Sequence, residues 1–269
     1  FGTNAAGTTG GGIHLEPTGG CTVERCRFYG NTAVDSGGGA FVGDGGSLAE
    51  SETPPIILNC SFSGNVVSGE DGTGGGATLL PGLDFIGKPP VLIARGGLFG
   101  CTIVNNSAAN GSGVSGGIDG PKLDYFAISV INCIVFDNVG AYTGGPYLEP
   151  NWYYCCTAFL NPSESSKALS IRYEPRFVDQ LGEDATAGTG DEDLSLTPGS
   201  GCIDAGYTYP PETSEYNGDF DLAGSTRVLD DPLSGDTGFG GPPVVDIGAY
   251  EFLIGGFNDF DICWWTGLG

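Results

Sequence analysis

Five times along the chain a cysteine is followed, five residues later, by an asparagine: Cys26 and Asn31, Cys60 and Asn65, Cys101 and Asn106, Cys133 and Asn138, Cys156 and Asn161. Two residues after each cysteine stands Phe28, Phe62, Ile103, Val135 or Ala158. Two before it stands Leu58, Phe99, Ile131 or Tyr154, with Glu24 as the exception. Apolar residues at every second position predict a strand with one buried face. A glycine-rich element recurs between these strands: GGIHL from Gly11, GGAFV from Gly38, GGATL from Gly75 and GGIDG from Gly116. A third apolar burst precedes each later cysteine, at Ile56 to Leu58, Val91 to Ile93 and Ile128 to Val130.

Successive asparagines are 34, 41, 32 and 23 residues apart. A repeat of that length without helical periodicity predicts a solenoid. About three short strands per repeat, joined at glycine bends, make a right-handed parallel β-helix whose coils stack about 4.8 Å apart. The expected fold is all-β, with inward ladders of cysteine, of Phe/Ile and of asparagine. The 50 glycines fit such bends without a collagen period. Residues 1–172 are read as the coils, 173–252 as a β-rich C-terminal cap and 253–269 as a tail.

The repeats FYGN and FSGN, followed by GGGAFV and GGGATL, resemble the FxxN and GGA(I/L/V) repeats of bacterial polymorphic outer-membrane-type β-helix proteins. Further on, YEPRFVD, DLSLTPGSGCIDAG, DLAGSTRV and DIGAYEF occur in order from Tyr173 to Phe252. They resemble the C-terminal module of secreted bacterial β-helix proteins of the choice-of-anchor Q type. Gly201 departs from that pattern, which usually has proline there. The resemblance implies an exported surface protein and leaves the activity open.

A net charge of −24, from 9 basic and 33 acidic residues, disfavours nucleic acid and anionic lipid as partners. No apolar run approaches the roughly 20 residues of a membrane-spanning helix. Such a surface suits an extracellular or cell-surface setting and the binding of cations such as Ca2+. Asp219 and Asp221 are the acidic pair taken as the candidate calcium ligands, solvated loops being the alternative. Asp204, Asp246 and Glu251 are read as structural, holding backbone donors.

The repeat cysteines are read as small core residues. Cys21, Cys155, Cys202 and Cys263 lie off the ladder, and Cys202 with Cys263 would tie the tail to the C-terminal module. Asn105 and Asn110 begin N-x-S tripeptides and are candidate glycosylation sites. His14 is the single imidazole, and its column in later coils reads Phe41, Thr78 and Asp119, which is no catalytic set. The sequence therefore favours a non-catalytic protein without a resident cofactor.

Phe1 to Asn4 read as the second half of a repeat. Ile262, Trp264 and Trp265 read as the start of another, and the outward column Tyr29, Ser63, Val104, Phe136 and Phe159 reads as a receptor for it. The expected function is a fibril or surface appendage, in which copies of the chain add head to tail. The rival is a carbohydrate-active enzyme or glycan-binding surface protein.

Overall fold

A computed structural model describes residues 1–15, 21–43, 55–79, 97–110, 114–116, 129–141, 151–158 and 170–253. The strands, in chain order, are β1 (Ile13–Leu15), β2 (Thr22–Glu24), β3 (Arg27–Tyr29), β4 (Thr32–Ala33), β5 (Ala40–Val42), β6 (Ile56–Leu58), β7 (Ser61–Ser63), β8 (Val66–Val67) and β9 (Ala77–Leu79). They continue as β10 (Gly97–Phe99), β11 (Thr102–Val104), β12 (Ser107–Asn110), β13 (Val114–Gly116), β14 (Ser129–Ile131), β15 (Ile134–Phe136), β16 (Val139–Ala141), β17 (Asn151–Tyr153) and β18 (Cys156–Thr157). Strands four apart in the chain pair, or three apart at the last step to β17 and β18, giving the parallel sheets β1-β5-β9-β13, β17-β14-β10-β6-β2, β18-β15-β11-β7-β3 and β16-β12-β8-β4. The fold is all-β, with parallel strands in stacked sheets, and is compatible with the β-helix expected from the repeat. An antiparallel pair follows, β19 (Phe177–Asp179) with β20 (Asp193–Leu196).

There are four sheets rather than three because a further strand, β4, β8, β12 or β16, follows Asn31, Asn65, Asn106 or Asn138; the strands before and after each cysteine are set apart by a corner. Arg25, Asn59, Asn132 and Tyr154 have φ of 54°, 50°, 55° and 52°, and Gly100 has 56° at the same place in its coil. A left-handed residue there turns the chain and interrupts the alternation. The inward residues before the corner are consequently Val23, Ile57, Leu98, Val130 and Trp152, three before the cysteine. Leu58, Phe99 and Ile131, expected inside, stand on the outer side of that sheet.

The same corner corrects the last repeat. Ile131 pairs with Tyr153 and Ile134 with Cys156, so Cys155 sits beside Cys133. The buried ladder is Cys60, Cys101, Cys133 and Cys155, with the half-buried Cys26 against it. Cys156 turns outward, and Asn161 lies outside the described residues. Two other alignments also shift. Gly97–Phe99 takes the place beside Ile56–Leu58 that Val91 to Ile93 was expected to fill. Val114, not Ile118, lies beside Ala77, so the residue next to Thr78 is Ser115 rather than Asp119.

The ladder thiols behave as small donors. Cys60, Cys101, Cys133 and Cys155 each reach the carbonyl two residues back, at 3.2, 3.4, 3.2 and 3.3 Å. Burial pushes the thiols of Cys60, Cys101 and Cys133 up, so they stay protonated. Below them Phe1, Phe28 and Phe62 stack with ring centroids 5.1 and 4.7 Å apart. Glycine is required where sheets meet at the opposite bend: a Cβ on Gly39 would stand 2.4 Å from the Gly76 carbonyl and 2.7 Å from the Phe62 ring.

The asparagine ladder is observed over Asn4, Asn31, Asn65, Asn106 and Asn138. The Oδ1 of Asn65 accepts from both the backbone N–H and the Nδ2 of Asn31, at 3.0 and 2.9 Å. Asn106 serves Asn65 in the same way, Asn138 serves Asn106, and Asn31 serves Asn4. The Nδ2 of Asn31, Asn65, Asn106 and Asn138 also donates to a backbone carbonyl of the preceding coil, Asn65 to Phe28 at 2.9 Å for example. Buried carboxamides are tolerated here because donors and acceptors are matched.

Candidate functional site

Residues 170–253 pack along one flank of the sheets, and the outward residues of the coils provide the footing. Val104 and Ile134 are buried against this segment together with the partly buried Phe136. Leu194, Ala249 and Tyr250 cover Val104, while Leu196, Ile203 and Ile247 cover Ile134. The outward column expected to receive the tail is therefore already covered by residues before 253 over Val104 and Phe136. Phe159 lies outside the described residues.

The corner asparagines are also hooks. Asn59 Nδ2 donates to the carbonyls of Asn217 and Phe220 at 2.9 and 3.0 Å. Asn132 donates to the Tyr207 carbonyl at 2.9 Å and accepts from the Tyr207 N–H at 2.7 Å. Asn105, at φ 56°, exchanges hydrogen bonds with Gln180 at 3.4 and 3.0 Å. A glycan on Asn105 would have to displace Gln180. Asn110, expected in a loop, is the last residue of β12. These hooks were missed in the sequence, although asparagine directly before Cys60 and Cys133 was a usable signal.

The polar centre of the flank segment is Arg227, which is buried. Its Nη1 pairs with Glu251 Oε1, and its Nη2 donates to the carbonyls of Asp246 and Gly248 at 3.0 and 2.7 Å. Gly248 lies at φ 112°, and a Cβ there would stand 2.7 Å from Ile134. Asp246 accepts from the N–H groups of Asp204 at 2.8 Å and Phe252 at 2.6 Å. Asp221 accepts from Ser225 at 2.7 Å and Glu251 at 2.9 Å, both backbone donors. A second cationic tie runs from Arg27 Nη2 to the Tyr250 hydroxyl, 2.9 Å.

These contacts settle the roles of several carboxylates. Asp221 is buried with each oxygen accepting from a backbone N–H, while Asp219 is exposed. Asp246 and Glu251 hold backbone donors as expected. Asp204 does not: it is 0% exposed and both carboxylate oxygens lack a hydrogen-bond partner. One of its oxygens meets carboxylate oxygens of Asp230 and Asp236 within 4.8 Å. Burial pushes the Asp204 carboxyl up to about 6. The Asp231 backbone N–H opposes that rise without reaching hydrogen-bond geometry, and Asp230, Asp236 and Asp231 add to it.

Burial drives Asp246 further, up to about 7, despite its backbone donors and Arg227; the charge of Asp204 adds to the rise. The folded chain then holds a proton on Asp246 that the unfolded chain releases near pH 4. Its contribution to stability is complete below that value and is lost as pH rises through about 7. The unfolding midpoint should fall progressively between about pH 4 and pH 7 and level off above, and Asp246→Asn should reduce that slope. A wild-type midpoint flat across this window, or an equal slope in the variant, would contradict a buried protonated Asp246.

The remaining expected sites are placed as follows. His14 is exposed, 3.1 Å from the Thr9 hydroxyl and against the Phe41 ring at 4.8 Å. Phe1 and Asn4 occupy rungs of the Phe and Asn ladders. Ile262, Cys263, Trp264 and Trp265 lie outside the described residues. Among the described cysteines, the thiol beside Cys202 is that of Cys156, so the flank segment meets the coils through this pair. No helix among the described residues is long and apolar enough to cross a membrane. No protein-family description, curated protein or solved structure matches the chain, so both family resemblances rest on their motifs alone.

Proposed function

We propose that this chain is an extracellular structural protein, a right-handed parallel β-helix capped along its flank by residues 173–252, whose coils continue from one copy into the next. The observation that supports this reading most is the ladder itself. Phe1 and Asn4 sit in the same register as the inner rungs, on Phe28 and Asn31, and a rung from a second copy in that register would make the same hydrogen bonds. Ile262, Trp264 and Trp265 are the proposed incoming strand, and different faces at the two ends give an open filament. Arg227, Asp221, Asp246 and Glu251 of the flank are spent on holding the structure, which suits a scaffold.

Electron microscopy and light scattering of the full chain test this, at an ionic strength that screens the −24 charge. Filaments that disappear in Trp264→Ala/Trp265→Ala are expected. Monomers at every concentration, or filaments unaffected by the double substitution, would remove the assembly reading.

One observation favours the glycan-binding alternative. Tyr207 lies 5.4 Å from Tyr154, 4.7 Å from Tyr209 and 5.7 Å from Phe239, which is 59% exposed. Aromatic faces of this kind stack on sugar rings. Saturable binding to a polysaccharide that Tyr207→Ala abolishes, with no filaments, would select it.

A further inference from the structure

Asp204 is the one described carboxylate whose two oxygens are both buried and unpartnered. Its backbone is fully used: the N–H donates to Asp246, and the carbonyl accepts from Thr237 and Gly238 at 2.9 and 3.0 Å. These bonds fix the carboxylate against the loop that carries Asp230 and Asp236. Among the described residues no basic side chain pairs with it, Arg227 being committed to Glu251. Leaving a carboxylate buried without a partner is among the costliest arrangements a fold can hold. The Asp231 backbone N–H is directed toward Asp204 without reaching hydrogen-bond geometry.

The geometry points to a calcium site formed by Asp204, Asp230 and Asp236. Three carboxylate oxygens lie within 4.8 Å of one another. Two oxygens on opposite sides of one Ca2+ are about 5 Å apart, given bonds of about 2.3–2.6 Å. Mg2+ demands a tighter octahedron at about 2.1 Å. The all-oxygen donor set disfavours zinc and copper, which favour nitrogen and sulfur. Asp230 and Asp236 are exposed, so water has access to complete the shell. The cation supplies the partner that Asp204 lacks and ties the loop around Asp230 and Asp236 to the buried CIDAG turn. This is a different place from Asp219 and Asp221.

The test is calorimetric titration of the full chain with CaCl2 after treatment with EGTA, in salt that suppresses diffuse binding to the acidic surface. One saturable site per chain is expected. Asp230→Asn/Asp236→Asn, both exposed positions, should weaken it at least about tenfold, and MgCl2 should bind at least about tenfold more weakly than CaCl2. Asp219→Asn should leave the affinity unchanged. Asp204→Asn should raise the unfolding midpoint in EGTA and abolish the further rise with calcium, because it removes the unpaired charge. Lack of saturation by about 5 mM CaCl2 would overturn the site. So would equal affinity in Asp230→Asn/Asp236→Asn, or a midpoint in EGTA that Asp204→Asn lowers. Mg2+ binding as tight as Ca2+ would overturn the choice of ion.

Discussion

Asn65→Leu should cost the fold about 3 kcal/mol or more, from three buried groups each left unpaired at about 1–3 kcal/mol. The side chain is completely buried. Its Oδ1 is the acceptor for both the N–H and the Nδ2 of Asn31, and its Nδ2 serves the Phe28 carbonyl. Leucine offers none of these, and on the other side Asn106 Oδ1 keeps the backbone N–H of position 65 but loses the Nδ2. The added apolar surface does not offset this, because the position is enclosed by polar atoms. Urea unfolding of the two proteins measures the difference. A loss below about 1 kcal/mol would mean that water replaces the missing amide, and that the ladder is wetter than its burial indicates.

Arg227→Met should destabilise by about 3–5 kcal/mol, the usual consequence of removing one member of a buried ion pair. Glu251 would be left buried without its cation, and the Asp246 and Gly248 carbonyls would lose their donor. Burial already pushes the Glu251 carboxyl up, with Arg227 holding it down. Without Arg227 the acid takes up a proton, so the loss should shrink as the pH is lowered. Arg227→Met/Glu251→Leu should recover part of the single-variant loss, because it removes the orphaned acid as well. A double variant no better than the single one would show that the carbonyl contacts carry the stabilisation rather than the charge pair.

Much of the stack was legible because its period is strict. Phe28, Phe62, Ile103 and Val135 share one spacing from cysteine, and the observed register pairs them as the spacing requires. The asparagine ladder was legible for the same reason. The errors arose where a left-handed residue breaks the alternation. Asn59 and Asn132 both turn the chain, and a simple period of two runs straight through such a corner. Of the adjacent Cys155 and Cys156, spacing from Asn161 selected the wrong one, because Tyr154 supplies the corner and shifts the frame.

The candidate site was less legible. Asp204 was visible as part of CIDAG, but its lack of a partner depends on where Asp246, Thr237 and Gly238 fall in space. Asp219 and Asp221 stand two apart, which in sequence resembles a ligand pair. In the structure one is exposed and the other accepts from a backbone N–H on each oxygen. Arg227 drew no notice as a lone basic residue in an acidic segment, yet it is among the largest side chains completely buried.

A repeat stack touching only its neighbours unravels from its ends, and its stability is a sum over adjacent repeats. The flank segment changes that arithmetic. Arg27 in the second coil holds Tyr250, Asn59 in the third holds Asn217, Thr102 in the fourth accepts from Ala249 and Asn132 in the fifth holds Tyr207. Rungs that are distant along the stack thus share one late-sequence partner. During synthesis the early coils emerge well before the residues that lock them, so the stack waits as a set of separately weak units. Once the chain passes Glu251 they become one cooperative body, which melts in a single transition rather than fraying rung by rung.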